Sequence, residues 1–396
     1  MLLYQNRTHI KHNFLSSQCS MPDTFISTVE RGKTYLLRVI NGALNNELFF
    51  AIANHTLTVV EIDAAYTKPF NTTAIMIAPG QTTTLLLNTD QIQIPDHSSG
   101  ILFPMAISPY VTSIFPFNNS TSIGFLRYNS RKMNKLRSQT NFPSNQIPVN
   151  LPDMKDTAFA TAFSNKLHSL DSPLYPCNVP KTVKKRVFIT ISLNLQNCPS
   201  GKTCKGLNGK SFFASMNNQS FIRPDSSILE SHYRKIATNS YSTDFPQRPI
   251  RVFDYTGVNP LTKNMNTESG TKLLAVRYGT DLEIVFQGTN FLNAENHPIH
   301  VHGHNFFVVG RGFGNFNAAR DPAKYNLIDP PERNTVAVPT GGWAAIRIRA
   351  DNPGVWFIHC RLEEHTSWGL AMGLIVRNGA GDSKSLLPPP DDLPLC

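Results

Sequence analysis

Charge is scarce in this chain: only 16% of its 396 residues are Asp, Glu, Lys or Arg. Also missing is any uninterrupted apolar stretch of the length a membrane-crossing helix needs. Residues 1–20 have no basic start, apolar run or small-residue cleavage site, so no secretory leader is visible there. The absence of a Gly-rich phosphate loop or a nucleophile elbow leaves nucleotide chemistry and acyl transfer without a motif. No Cys-X-X-Cys pair occurs either, which weighs against a closed structural zinc site, the obvious rival for a Cys/His cluster. Before residue 290 the histidines are His9, His12, His55, His97, His168 and His232, and no two of them form a His-X-His pair.

What is present is concentrated near the C-terminus. One run reads His297-Pro-Ile-His-Val-His-Gly-His304, and a second reads His359-Cys-Arg-Leu-Glu-Glu-His365. Two imidazoles with one thiolate, and a thioether or nothing in the axial position, are the ligand set of a blue-copper electron-transfer site. Side chains two apart on a strand share a face. That alternation predicts that Cys360, His297 and His365 meet around one copper. His300, His302 and His359 then face a second metal centre behind it, and the peptide between His359 and Cys360 bridges the two. By the same alternation His304 would line one face with His300 and His302, but it reads as a packing residue, and Glu363 and Glu364 as solvated carboxylates. His55 and His97 read as ordinary surface or satisfied core histidines.

Pro (28) and Phe (25) are frequent, and β-branched runs alternate with Asn-Gly and Pro-Gly turns, as in an all-β, loop-rich sandwich architecture. Strands are expected over 34–40, 57–62, 82–87, 187–193, 282–286, 306–310 and 345–349. The last alternates Ile346/Ile348 with Arg347/Arg349, the pattern of a half-buried strand. Residues 1–20 read as a remnant or linker, 21–130 as a first sandwich and 131–160 as a polar linker. A second sandwich over 161–396 then carries the metal motifs. The formal net charge of +10, with the basic runs Arg131–Arg137 and Lys181–Arg186, suits solvated loops or adhesion to acidic cell-wall polysaccharide. Nucleic-acid binding has no motif behind it. Six Asn-X-Ser/Thr sequons (Asn6, Asn54, Asn71, Asn118, Asn119, Asn218) point to a secreted glycoprotein. Cys198 and Cys204 are close enough for a local disulfide, and Cys177 has no evident partner.

With both metal runs in view, the chain resembles the plant laccases, within the multicopper oxidases. Segments of the same wording are Ile77-Ala-Pro-Gly-Gln-Thr-Thr, Asp329-Pro-Pro-Glu-Arg-Asn-Thr and Ala350-Asp-Asn-Pro-Gly-Val-Trp-Phe. The resemblance implies tandem cupredoxin-like Greek-key sandwiches, the first without copper ligands and matching the family's second domain. It implies one-electron oxidation of phenolics related to lignin, coupled to reduction of dioxygen to water, in the apoplast. Carried over, His297, Cys360 and His365 match the mononuclear copper ligands. His300, His302 and His359 match ligands of the trinuclear cluster, and Cys360 with His359 matches the electron path. Leu370 takes the axial position that some relatives fill with methionine, and Met372 reads as core. Cys19 and Cys396 resemble positions that pair with a domain this chain does not contain.

Two departures qualify the resemblance. The family's His-Cys-His becomes His359-Cys360-Arg361, and a guanidinium has no lone pair to offer a metal. The N-terminal His-X-His pairs that complete the cluster are missing as well. The expectation is therefore an N-terminally truncated laccase-family oxidoreductase with an incomplete trinuclear cluster. The rival readings are a non-catalytic copper-binding or electron-transfer remnant and, among enzymes, an ascorbate or metal-ion oxidase.

Overall fold

The computed structural model describes residues 24–90, 102–113, 117–129, 148–236, 240–257, 266–293, 295–390 and 392–393. The N-terminal remnant, Cys19, Cys396, Asn6, His9, His12, His97 and the basic run Arg131–Arg137 lie outside the described residues. The chain divides into two compact units, one made of 1–111 with 116–167, the other of 112–115 with 168–396.

Among the described residues each unit is built from two sheets. In the first, a five-stranded sheet runs in the order Ile26–Glu30, Ser122–Asn129, Leu102–Tyr110, Glu47–Ile52, Ala74–Ile77. A four-stranded sheet runs Thr34–Ile40, Thr82–Asn88, Leu57–Ile62, Ala65–Thr72. β-Branched and aromatic residues give these strands their apolar faces, and Ala74–Ile77 is buried on both sides. Those faces form a single core around Phe49, Phe50, Leu57, Ile75 and Leu85. Burying each such side chain contributes roughly 1.5–3 kcal/mol.

The expected linker over 131–160 is different in its described part. Leu151 and Phe159 pack on the first unit's core, and the helix Thr157–Asn165 buries Ala160 and Phe163 there. Asp156 caps this helix by accepting the Phe159 N–H at 2.7 Å. A polar, turn-rich segment hid a short amphipathic helix, so the first unit reaches Leu167.

The second unit has an eight-stranded and a five-stranded sheet among the described residues. The larger runs Glu268–Gly270, Gln219–Phe221, Ser211–Met216, Lys185–Gln196, Thr280–Gly288, Gly342–Ala350, Phe306–Phe313, Glu332–Arg333. The smaller runs Leu273–Val276, Ala371–Val376, Gly354–Cys360, His297–Val301, Thr335–Val338. A core of Ile, Val, Leu and Phe side chains includes residues of both sheets, and Cys360 and Leu370 belong to it.

The strand holding Ile346 and Ile348 corrects the half-buried expectation. Arg349 points out to Asp281, but Arg347 is buried and pairs with the buried Glu283 at 2.8 Å. Its guanidinium also donates to the carbonyls of Pro180 and Lys181 and lies over the Tyr325 ring. A second apolar layer around Val285, Trp343, Phe316 and Tyr325 covers that face of the sheet, so a charge there needs internal partners. Desolvation by burial, with Glu283 nearby, pushes the Tyr325 hydroxyl well above its ordinary range.

In the run Lys181–Arg186, Lys181, Lys184 and Arg186 are exposed, and three of the four cations have partners within the unit. Lys181 donates to the Leu327 carbonyl, Lys185 to that of Ala275, and Arg186 pairs with Glu283. Cys198 and Cys204 form the local disulfide, while Cys177 is a half-buried free thiol. No helix among the described residues is long and apolar enough to cross a membrane.

Candidate metal centre

The site grows out of one strand pairing. His297–Val301 runs antiparallel to Gly354–Cys360 with Ile299 opposite Cys360 and His300 opposite His359. Directly opposed residues of an antiparallel pair share a face, and neighbours along a strand alternate. His297, two residues from Ile299, therefore lies on the Cys360 side, and His300 lies with His359 on the reverse. The five-residue helix Glu363–Ser367 follows at once and returns His365 to the Cys360 side.

On that side His297, Cys360 and His365 bring one ligand atom each to within 4.8 Å of one another, all three buried. Among the described residues this is the only such group. The Nδ1 atoms of His297 and His365 stand 3.2 Å apart, and His365 Nδ1 is 3.8 Å from the Cys360 sulfur. Leu362 donates its backbone N–H to that sulfur at 3.4 Å. Leu370, fully buried, accepts the Cys360 N–H and donates to the His365 carbonyl, which anchors it beneath both residues. Met372 is a core residue opposite Ile358.

Desolvation, then the neighbouring His365, lowers the His297 pKa well below the usual imidazole range. A neutral imidazole keeps a lone pair for a cation. The far nitrogens of the two rings differ in setting. His297 Nε2 is buried without a hydrogen-bond partner, whereas His365 Nε2 reaches the half-exposed Glu295 carboxylate at 3.4 Å.

On the reverse side the rings of His300, His302 and His359 cluster, with centroids 4.7 to 5.8 Å apart. His302 Nε2 and His359 Nε2 are 3.1 Å apart. His300 Nδ1 lies 2.8 Å from the Asn334 carbonyl, and His359 Nδ1 lies 2.7 Å from the carbonyl of Cys360. Burial lowers the His359 pKa to about 4, with His302, Arg361 and His300 adding to the effect. Burial also lowers His302, and Arg361 is its second cause. The Arg361 charge thus acts on this cluster and opposes any added cation.

The expectation that His304 would continue the His300/His302 face fails at the strand end, because the ladder stops at Val301. Gly303 then turns the chain at φ +67°, and a Cβ there would meet the Trp356 ring at 2.2 Å. His304 packs edge-on against Trp356, as a packing residue should. Glu363 and Glu364 are exposed in the first turn of their helix, where carboxylates favour the dipole. His55, read as surface or satisfied core, is the latter: its ring nitrogens reach the Ala53 carbonyl and the Tyr128 hydroxyl, both at 2.7 Å. The Leu362 N–H, the Thr366 hydroxyl bonded to the Cys360 carbonyl, and Glu295 were not found from sequence. Of these only Glu295, two residues ahead of His297, carried a signal: a carboxylate beside a ligand motif.

Two sequence models, both describing multicopper oxidases, match residues 6–131 and 244–380. The chain belongs to the multicopper oxidase family, and copper is that family's metal. Within the family its similarity is to plant laccases. Laccase-1 of Arabidopsis thaliana is 64% identical over 96% of this chain and 65% of the relative. Laccase-4 of Oryza sativa subsp. japonica is 50% identical over 96% of this chain and 64% of the relative. The chain therefore spans about 65% of the length of such relatives. Among solved structures, the laccase of Botrytis aclada aligns with TM-score 0.59 at 24% identity, covering 89% of this chain and 53% of that one. Fet3p, a multicopper oxidase that functions in iron import, aligns with TM-score 0.61 at 21% identity, covering 89% and 57%. These structures share the all-β, cupredoxin-like fold.

Proposed function

We propose that the chain is the copper-holding part of a laccase-type oxidoreductase that takes single electrons from phenolic compounds of the lignin-precursor class. The observation that carries this reading is the buried triad of His297, Cys360 and His365, with a sulfur and two ring nitrogens converging within 4.8 Å. Copper, if held by those three residues, would supply a one-electron acceptor, and the buried Leu370 beside them offers no further donor atom. Glu295 is the part-exposed group at the outer edge of His365, and His297 has no such outlet. A reductant therefore approaches from the His365 side. The peptide between Cys360 and His359 is the covalent link from that triad to the reverse cluster, so an electron leaving the sulfur has a through-bond route.

The reverse cluster does not fit a dioxygen-reducing centre by itself. Three imidazoles face it among the described residues, and the adjacent Arg361 brings a fixed positive charge in place of a donor. We infer that this chain accepts electrons but does not complete four-electron reduction of dioxygen on its own residues. Secretion to the apoplast belongs to the same reading; the sequons at Asn54, Asn71, Asn118 and Asn119 sit on exposed residues, as a glycoprotein requires. The test is to load the purified chain with copper, record the thiolate-to-copper absorption, and follow dioxygen uptake with a phenol. A blue protein that bleaches with the phenol and consumes little dioxygen is expected. Turnover with four-electron stoichiometry would overturn the deficient-cluster reading, and a colourless protein would overturn the copper reading.

A further inference from the structure

The two triad histidines differ at their outer nitrogens, and that difference assigns a role to a residue outside the triad. His365 Nε2 lies 3.4 Å from Glu295 Oε1, while its Nδ1 faces His297 Nδ1 and the Cys360 sulfur. The contact is at ion-pair range, and an ionised carboxylate attracts a ring proton and can donate none. The proton of a neutral His365 ring is therefore drawn to Nε2, and the lone pair is left on Nδ1, inside the triad.

The backbone beside Glu295 is fixed. Asn296, buried, receives the Thr340 N–H and hydroxyl on its side-chain oxygen at 2.8 and 3.2 Å. Its own N–H donates to the Thr112 hydroxyl at 3.0 Å, and Thr340 also bonds Thr112. The next residue, His297, opens the strand that pairs with Val338. The carboxylate is thus delivered to one place by a clamp of backbone and hydroxyl contacts, not by a free loop. On its inner side the His365 ring meets His297 at 5.0 Å, and Trp368 lies 5.6 Å away.

We propose that Glu295 is a positioning residue that holds His365 in the Nε2-protonated tautomer, with Nδ1 presented for copper. The proposal rests on the reading of the triad as a copper site. Partners of this kind commonly change metal affinity by about 10- to 100-fold when removed. Glu295 is half-exposed, so its replacement leaves the core intact.

The test uses the full chain with ¹⁵N-labelled histidine and compares wild type, Glu295→Gln and Glu295→Ala. In the metal-free protein, the ¹⁵N shifts of His365 should report an Nε2-bound proton in wild type and in Glu295→Gln, whose amide oxygen still accepts. Glu295→Ala should show mixed tautomers. Titration with cupric ion alone should give an affinity at least about tenfold weaker for Glu295→Ala, with Glu295→Gln between it and wild type. An unchanged tautomer and unchanged copper affinity in Glu295→Ala would overturn the proposal. If the tautomer follows Glu295 but no variant develops a thiolate-to-copper band, the positioning role stands and the copper reading of the triad fails.

Discussion

His55 in the first unit and His297 in the second are both buried imidazoles inside β-sandwiches, and burial lowers the pKa of each. Their surroundings are opposite. His55 has the Ala53 carbonyl on one nitrogen and the Tyr128 hydroxyl on the other, with the Phe103 ring edge-on. His297 directs Nδ1 at another imidazole, and its Nε2 has no partner. Two nitrogens 3.2 Å apart satisfy each other only if one carries a proton, and a buried cation between them would serve both. Burial and histidine are therefore common to both units. What separates these two rings is whether the protein itself closes the ring's hydrogen-bonding capacity.

The largest expected effect comes from removing the sulfur. Cys360→Ser should abolish the thiolate-to-copper band and its paramagnetic signature in copper-loaded protein, whereas His55→Gln should leave both unchanged. Absorption and electron paramagnetic resonance spectra decide it, and a band that survives Cys360→Ser means the metal lies elsewhere. Next is Glu283→Gln, which strips the carboxylate from buried Arg347 and alters no imidazole. Chemical denaturation should show a loss of about 3–5 kcal/mol, with the copper spectrum of the folded fraction unaltered. That result would separate what holds the second unit together from what holds its metal.

Arg361→His is a gain-of-ligand test: one base change restores a donor and removes the charge acting on His302 and His359. Copper per chain, measured by elemental analysis, should rise by a fraction of an equivalent above wild type; no rise would mean that the reverse cluster is limited by something other than Arg361. The smallest effect is in the first unit. The folded pKa of His55 is depressed, chiefly by burial, so its stabilising contribution is full above the unfolded value of 6.5 and declines as pH falls through and below that value. His55→Phe should flatten this part of the pH profile of thermal unfolding between about pH 7 and 5. An identical profile in both proteins would place the acid sensitivity elsewhere.

Much of this was legible because strand periodicity is a hard constraint. The runs at 34–40 and 57–62 form strands with those same limits, and alternation alone separated His297 and Cys360 from His300 and His359. Alternation failed where the strand ended: it still placed His302 with His300, but the direction of His304 depends on the Gly303 turn and on Trp356, far along the chain. It failed again at Arg347, since period-two patterning assumes water on the polar face, and here a second apolar layer covers it. The helix at 157–165 was missed because it is only nine residues long, too short for a helical period to stand out from its polar surroundings. Glu295 stands two residues before His297, but its contact is with a residue seventy positions later, which that local spacing does not encode.

The pairing of Ile299 with Cys360 and of His300 with His359 has one more implication. Because opposite sides of a strand exchange with every single step, sliding either strand by one rung would carry the thiol to the far side and put an imidazole in its place. The chemistry is thus written into an alignment between two backbones as much as into the identities of the side chains. An insertion or deletion inside 297–301 or 354–360 would scramble both clusters at once.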